Sequence, residues 1–300
     1  MTHHRQAIRC RMRLPAHAVR HTLIPVAALI FLLIPDAPAR GQSAAAKFVG
    51  PAACTPTCHK VEIGALQKHK HSKSLEVFES KKAGEIAKKL NVSDPYASDL
   101  CLKCHATKIG SKEPEFGVSC ESCHGGAEKW EKVHGKEDDK ERMKKARPLG
   151  MADPRNPSWS APNCFGCHGG MTGEMVAAGH PVKLDLEMAK ELAGSLRHWE
   201  KPRPESAMKK WRAAEQVAGL RAAVDTLARS AGSPSLEKAA KEAVAKRLAG
   251  LKRAELKHPT LDALVQAATP AGAGPQQAKS AAAKVSQAAE AALKYLDGVK

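Results

Sequence analysis

Eight cysteines fall between residues 54 and 167, in four pairs, and the second cysteine of every pair is followed directly by histidine. The four units read CTPTCH (Cys54, Cys58, His59), CLKCH (Cys101, Cys104, His105), CESCH (Cys120, Cys123, His124) and CFGCH (Cys164, Cys167, His168). Three have the C-x-x-C-H form of covalent haem attachment. The chemistry demands that order. Each thiol adds to one vinyl group of a porphyrin, and two intervening residues let the backbone span both vinyl positions. The next histidine then lies over the iron as its proximal ligand. Cys101-x2-Cys104-x15-Cys120-x2-Cys123 also has zinc-ribbon spacing, and export favours disulfides, but neither chemistry has a use for His105 and His124 at those places. Histidine is 14 of 300 residues. A histidine after all four second cysteines arises by chance on the order of once in 10⁵. The pattern points to four covalently bound haem c groups.

The first unit carries one residue too many between its cysteines. The insertion does not move His59 relative to Cys58, so one thioether and the iron ligand survive. Pro56 can hold the widened loop in a turn that lets Cys54 reach its vinyl group, and a haem is expected there too. A second axial ligand makes a haem iron an electron-transfer centre, whereas an open position makes it a candidate for small-molecule chemistry. Met143, Met151, Met171, Met175 and Met188 lie in ordinary helical or loop contexts. Histidine is better supplied: beyond the motifs and the N-terminal forty residues stand His69, His71, His134, His180, His198 and His258.

The stretches CHKVEIGALQKHKHSKSLE, CLKCHAT, GVSCESCHGGAEKWEKVHG and EMAKELAGSLRHW resemble the exported tetrahaem cytochromes c related to the electron acceptor of hydroxylamine oxidoreductase. AAGHPVKLDLEM is similar to a stretch of broader multihaem relatives. The resemblance covers about residues 48–200. It implies that distal histidines come from elsewhere in the chain: His71 over the haem of His124, His134 over that of His59, and His198 over that of His168. In the family the second haem can lack a distal ligand, and here His180 is a candidate for the iron of His105. His69 and His258 are expected as solvated surface residues.

Residues 1–21 hold five arginines and no acid, an apolar run follows from Leu23 to Ile34, and DAPAR supplies a small-x-small site. Residues 1–39 read as a secretory signal peptide, since twelve apolar residues are too few to span a bilayer. The expected location is the periplasm, an oxidising compartment, with no transmembrane segment left after cleavage.

The elements that must position these groups divide by texture. Residues 40–200 are broken by Gly, Pro, Lys and His and hold few apolar side chains, too few to fold alone; haem surfaces must supply the interior. Residues 201–300 contain 27 alanines and no cysteine. Their apolar positions recur at helical spacing, which predicts helices at 205–231, 235–256, 260–268 and 276–297, the second capped by Ser235. The fold class is therefore mainly α: a multihaem domain over 40–200 with little regular structure, wrapped on a haem cluster, and an Ala-rich helical bundle over 201–300.

Formal net charge is +17, and the last hundred residues carry 18 basic against 9 acidic side chains. Haem propionates would bring the first part near neutrality and leave the bundle basic. An exported chain meets little nucleic acid, so the expected partner is a redox protein with an acidic surface. The expected function is periplasmic electron transfer between an oxidoreductase and a redox partner. The alternatives are a haem enzyme acting on a small nitrogen species at a five-coordinate second haem, and a subunit docked onto a larger redox complex.

Overall fold

The computed structural model describes residues 46–54, 58–110, 113–135, 139–153, 155–197 and 202–299. These all belong to the unit Pro38–Lys300. The signal-peptide expectation, the Pro56 turn and His198 lie outside the described residues.

The described residues are mainly α, and every regular element among them is a helix. Nine short helices come first: α1 (Lys60–Lys68), α2 (Lys81–Lys89), α3 (Asp99–His105), α4 (Cys120–His124), α5 (Glu131–His134), α6 (Asp139–Ala146), α7 (Pro157–His168), α8 (Gly173–Ala177) and α9 (Met188–Ala193). Four helices follow: α10 (Glu205–Ala228), α11 (Pro234–Arg253), α12 (Pro259–Ala268) and α13 (Pro275–Gly298). All four lie within a few residues of the ranges expected from periodicity. The cap of α11 differs. Ser233 is the N-cap, Pro234 occupies the first turn and Ser235 lies inside the helix. Proline suits that first turn because its missing N–H would have had no helical partner. None of the described helices is long and apolar enough to cross a membrane.

The apolar interior is unevenly shared. Among the described residues between 46 and 153 the buried cluster is Ala127, Trp130, Met143, Ala146 and Met151, flanked by Val49 and Leu149. The main core belongs to the bundle. Its central helix, α10, buries Trp211, Val217, Leu220, Val224 and Leu227 together with several alanines. Those positions surround α10 rather than forming one stripe, as expected of a helix covered on most sides. Its main neighbours are α7, α9, α11 and α13, and α12 also touches it. Alanine lets so many helices approach it, because interaxial distance follows side-chain size.

This core continues across residue 200. Ala161 and Phe165 of α7 and Met188 and Ala189 of α9 belong to the same cluster as Trp211 and Leu220. Two contacts fix α7 at its ends. Asp297 of α13 accepts from the Ser158 backbone N–H at 3.1 Å and from the Ser158 hydroxyl, satisfying a free amide of the first turn. At the other end the Thr226 hydroxyl of α10 donates to the Gly169 carbonyl at 2.5 Å. The helix carrying the fourth attachment unit is thus clamped by the Ala-rich region.

A buried ion pair joins the same parts. Arg247 Nη1 donates to Glu215 Oε1 at 2.7 Å, with both side chains almost wholly buried. Glu215 also accepts from the Ala189 amide at 2.9 Å, and Arg247 Nη2 donates to the Leu186 carbonyl at 2.5 Å. The guanidinium lies 5.1 Å from the ring centre of Phe165, inside CFGCH. Gly219 makes room for it, since a Cβ there would lie 2.6 Å from Arg247 Nε.

Candidate functional site

Three of the four units end a helix: α3, α4 and α7 close on His105, His124 and His168. Each helix sets its two cysteines three residues apart on one face, with histidine at the rim. The first unit differs: Cys54 closes a 3-10 turn over Pro51–Cys54, and His59 stands at the N-terminus of α1.

Hydrogen bonds hold the units together. The Thr107 and Ser122 hydroxyls, one from each of the second and third units' neighbourhoods, meet at 2.6 Å, and Thr107 Oγ1 accepts from the Ser119 amide at 2.7 Å. Side chains of α7 reach the third unit, with Trp159 Nε1 donating to the Cys123 carbonyl at 3.1 Å and Asn163 Nδ2 to the Ser122 carbonyl at 2.9 Å. The Val118 amide donates to the His71 carbonyl at 2.9 Å. That approach needs glycine beside it: a Cβ on Gly117 would lie 2.5 Å from the His71 oxygen.

Glu121, the second residue of CESCH, is 1% exposed. Its carboxylate accepts from the backbone N–H groups of Val49 (3.0 Å), Gly50 (2.7 Å) and Ala127 (2.7 Å). It ties the segment leading to Cys54 onto the third unit. Sequence reasoning missed this residue. Its only signal was an acid between the two cysteines of a unit.

The histidines form ring pairs across the fold. His59 and His134 face each other with ring centres 5.8 Å apart and planes at 19°. His105 and His180 stand 6.3 Å apart, and His71 and His168 stand 6.2 Å apart. A metal with bonds of about 2 Å to one nitrogen of each of two opposed imidazoles would hold their centres roughly 6 Å apart, so these spacings fit a shared iron. The expected matches of His134 to His59 and of His180 to His105 coincide with these pairs. The match of His71 to His124 does not: His71 stands against His168. The reason is topological: the turn after α1 is tied to the second and third units through Ser74 and Val118, and this carries His71 to the rim of α7. His198, expected at the His168 position, lies outside the described residues.

Ring hydrogen bonds suit the same role. His105 Nδ1 faces the Ser74 carbonyl at 3.3 Å, and His180 Nδ1 faces the Pro181 carbonyl at 3.0 Å. An N–H donated there leaves Nε2 as the lone-pair nitrogen and fixes ring orientation. His59 Nδ1 lies 3.7 Å from the Glu62 carboxylate. Burial, together with the neighbouring imidazoles His69 and His168, pushes His71 down to about 4. Burial also lowers His105 and His168. Imidazoles kept neutral are in their ligand form.

The thiols cluster between units. Those of Cys54 and Cys120 lie within hydrogen-bonding reach, as do those of Cys104 and Cys167. Contact with its partner lowers Cys120 and Cys104 to about 7 and raises Cys54 and Cys167. Cys164 is pushed up to about 12 by burial and by nearby Cys123. Cys123 is open to solvent, yet surrounding protein pushes its thiol up to about 11. The donor set, the ring spacings and these half-open sulfurs fit haem c. A zinc ribbon would need its thiols to converge, and among the described residues no three His, Cys, Asp or Glu side chains are gathered to hold a metal ion.

The remaining histidines are not solvated bystanders. His258 caps α12 by accepting from the Thr260 amide and stacks on Tyr295 at 3.7 Å. His69 is half-buried with its ring centre 4.7 Å from that of His71. Met143, Met151, Met171, Met175 and Met188 are all buried.

Residues 53–125 match the family model described as cytochrome c554 and c-prime. Over 125 residues the chain is 33% identical to cytochrome c-554 of Nitrosomonas europaea, an overlap of 37% of this chain and 51% of that protein. The chain therefore spans about half the length of this curated relative. No solved structure matches. The resemblance to multihaem c-type cytochromes related to the electron acceptor of hydroxylamine oxidoreductase is borne out.

Proposed function

We propose that this chain is a periplasmic tetrahaem electron carrier that accepts electrons from an oxidoreductase and passes them to a second redox protein. The observation that carries the reading is the set of three imidazole pairs, each joining a motif histidine to a histidine distant in sequence. Haem c supplies one-electron chemistry at an iron whose potential is set by its axial ligands. The chain supplies the rest. Cys54 and Cys58, Cys101 and Cys104, Cys120 and Cys123, and Cys164 and Cys167 would hold the four groups. His59, His105, His124 and His168 would supply one ligand each to the irons, and His134, His180 and His71 would supply the second ligand at the sites of His59, His105 and His168.

The neighbouring sulfurs suggest the order of the path. Cys54 adjoins Cys120, Cys123 adjoins Cys164, and Cys167 adjoins Cys104. Groups held by these cysteines would adjoin one another in the order first, third, fourth and second unit, which differs from chain order. The enzyme alternative requires an open position opposite His105, where His180 stands. The basic bundle favours a partner with an acidic surface.

The test is optical and magnetic. Holoprotein matured in a competent host should carry four haems per chain, with those of His59, His105 and His168 low-spin. His180→Ala should convert one of the four to a high-spin centre and let the reduced protein bind one carbon monoxide per chain. A wild-type protein without covalent haem, or an unchanged spectrum in the variant, overturns the respective assignment.

A further inference from the structure

His69 stands two residues before His71 and belongs to none of the three ring pairs, yet its ring is held at both nitrogens. Nδ1 accepts from the His71 backbone N–H at 3.1 Å. The proton of the neutral ring is then on Nε2, which faces the Ser195 hydroxyl oxygen at 3.4 Å. The Ser195 hydroxyl donates in turn to the Glu191 carboxylate of α9. All three donor roles agree, so the chain runs without conflict from a carboxylate through a hydroxyl and an imidazole to the backbone of His71. The His69 ring also meets the His71 ring edge-on, its plane turned by 66°.

We propose that Glu191, Ser195 and His69 act as positioning residues for the His71–His168 pair, fixing the His71 ring and setting one negative charge beside the fourth haem. The proposal rests on the reading above, in which that pair shares an iron. The Glu191 carboxylate ends this chain of contacts beside the His71–His168 pair, with Asp185 a second carboxylate near His168 and Lys70 an opposing charge near His69. A fixed negative charge favours the form of a redox centre that carries the extra positive charge, so it lowers that centre's reduction potential. His69 transmits orientation: without its Nδ1 acceptor the His71 amide loses a partner, and without its ring one wall of the His71 pocket is gone.

The test uses the purified four-haem protein, titrated with a chemical reductant and followed by absorbance and electron paramagnetic resonance. Glu191→Gln should raise the midpoint potential of one haem and leave the other three and the haem count unchanged. His69→Phe should alter the low-spin resonance of that same haem, and Ser195→Ala should reproduce part of both effects. His71→Ala serves as the reference and should turn that haem high-spin. If His71→Ala does so while Glu191→Gln and His69→Phe leave every potential and resonance as in wild type, the positioning role is overturned and the ligand reading stands. If His71→Ala leaves all haems low-spin, the ligand reading fails and takes this proposal with it. Glu191 is only half-buried, so its variant reports even if His69→Phe does not fold.

Discussion

A glutamate inside an attachment motif is where residue chemistry departs most from type. Acidic side chains are almost never fully buried unless paired, and Glu121 has no cation among its three close partners, only backbone N–H groups. Charge-assisted bonds of this kind are among the stronger ones in proteins, and leaving buried donors unmet costs about 1–3 kcal/mol each. Glu121→Ala should therefore destabilise the holoprotein by at least about 3 kcal/mol, read as a lowered thermal midpoint. It should also release the segment before Cys54, seen as faster proteolysis there. Glu121→Gln keeps an acceptor oxygen and should fall between. The motif histidines were legible because covalent chemistry fixes their neighbours in sequence. Glu121 was not, because its role is created by amides of residues 49, 50 and 127 arriving in space. The partners of the motif histidines were legible only in part: His134 and His180 stand where expected, whereas His71 lies against His168, a contact that no local pattern encodes.

Among the elements, α10 to α13 were readable almost to their ends, because an apolar period of 3.6 leaves a strong trace in a long helix. What periodicity could not convey was the use of α10 as the wall behind α7. That contact depends on Gly169, Ala222 and Thr226 being small enough to meet, and on Glu215 and Arg247 crossing between α9, α10 and α11. Breaking a buried pair strands one charge, at a cost of about 3–5 kcal/mol. Arg247→Met should lower stability by about that amount. Glu215→Leu in the same chain should recover much of the loss, because the stranded carboxylate is then gone. A double-mutant cycle by thermal denaturation checks both. If the single variant costs under about 1 kcal/mol, the pair is not a structural link.

For the whole molecule, charge and interior are divided between different stretches of the chain. The stretch bearing the cysteines buries little of its own, and the stretch without them carries the main core and the larger basic excess. If the basic bundle guides an acidic redox partner, the association rate should fall steeply as salt rises and the Debye length shrinks from about 10 Å at 0.1 M to about 3 Å at 1 M. Stopped-flow mixing with the partner at both ionic strengths measures this. A flat profile would remove long-range attraction from the account. Sequence texture conveyed the two compositions, but the core they share could not be read from it, since Phe165 and Met188 look no different in sequence from other scattered apolar residues.

The pairing of sulfurs across units has a consequence for how such a molecule is made. Cys54 beside Cys120 and Cys104 beside Cys167 would be harmless once each sulfur were spent on a vinyl carbon. In a compartment that oxidises thiols, a polypeptide that collapsed while still bare would bring these atoms together and seal them to one another, leaving no nucleophile for the porphyrin. If these sulfurs bind porphyrin as proposed, maturation should precede compaction, with attachment taking place on an open strand.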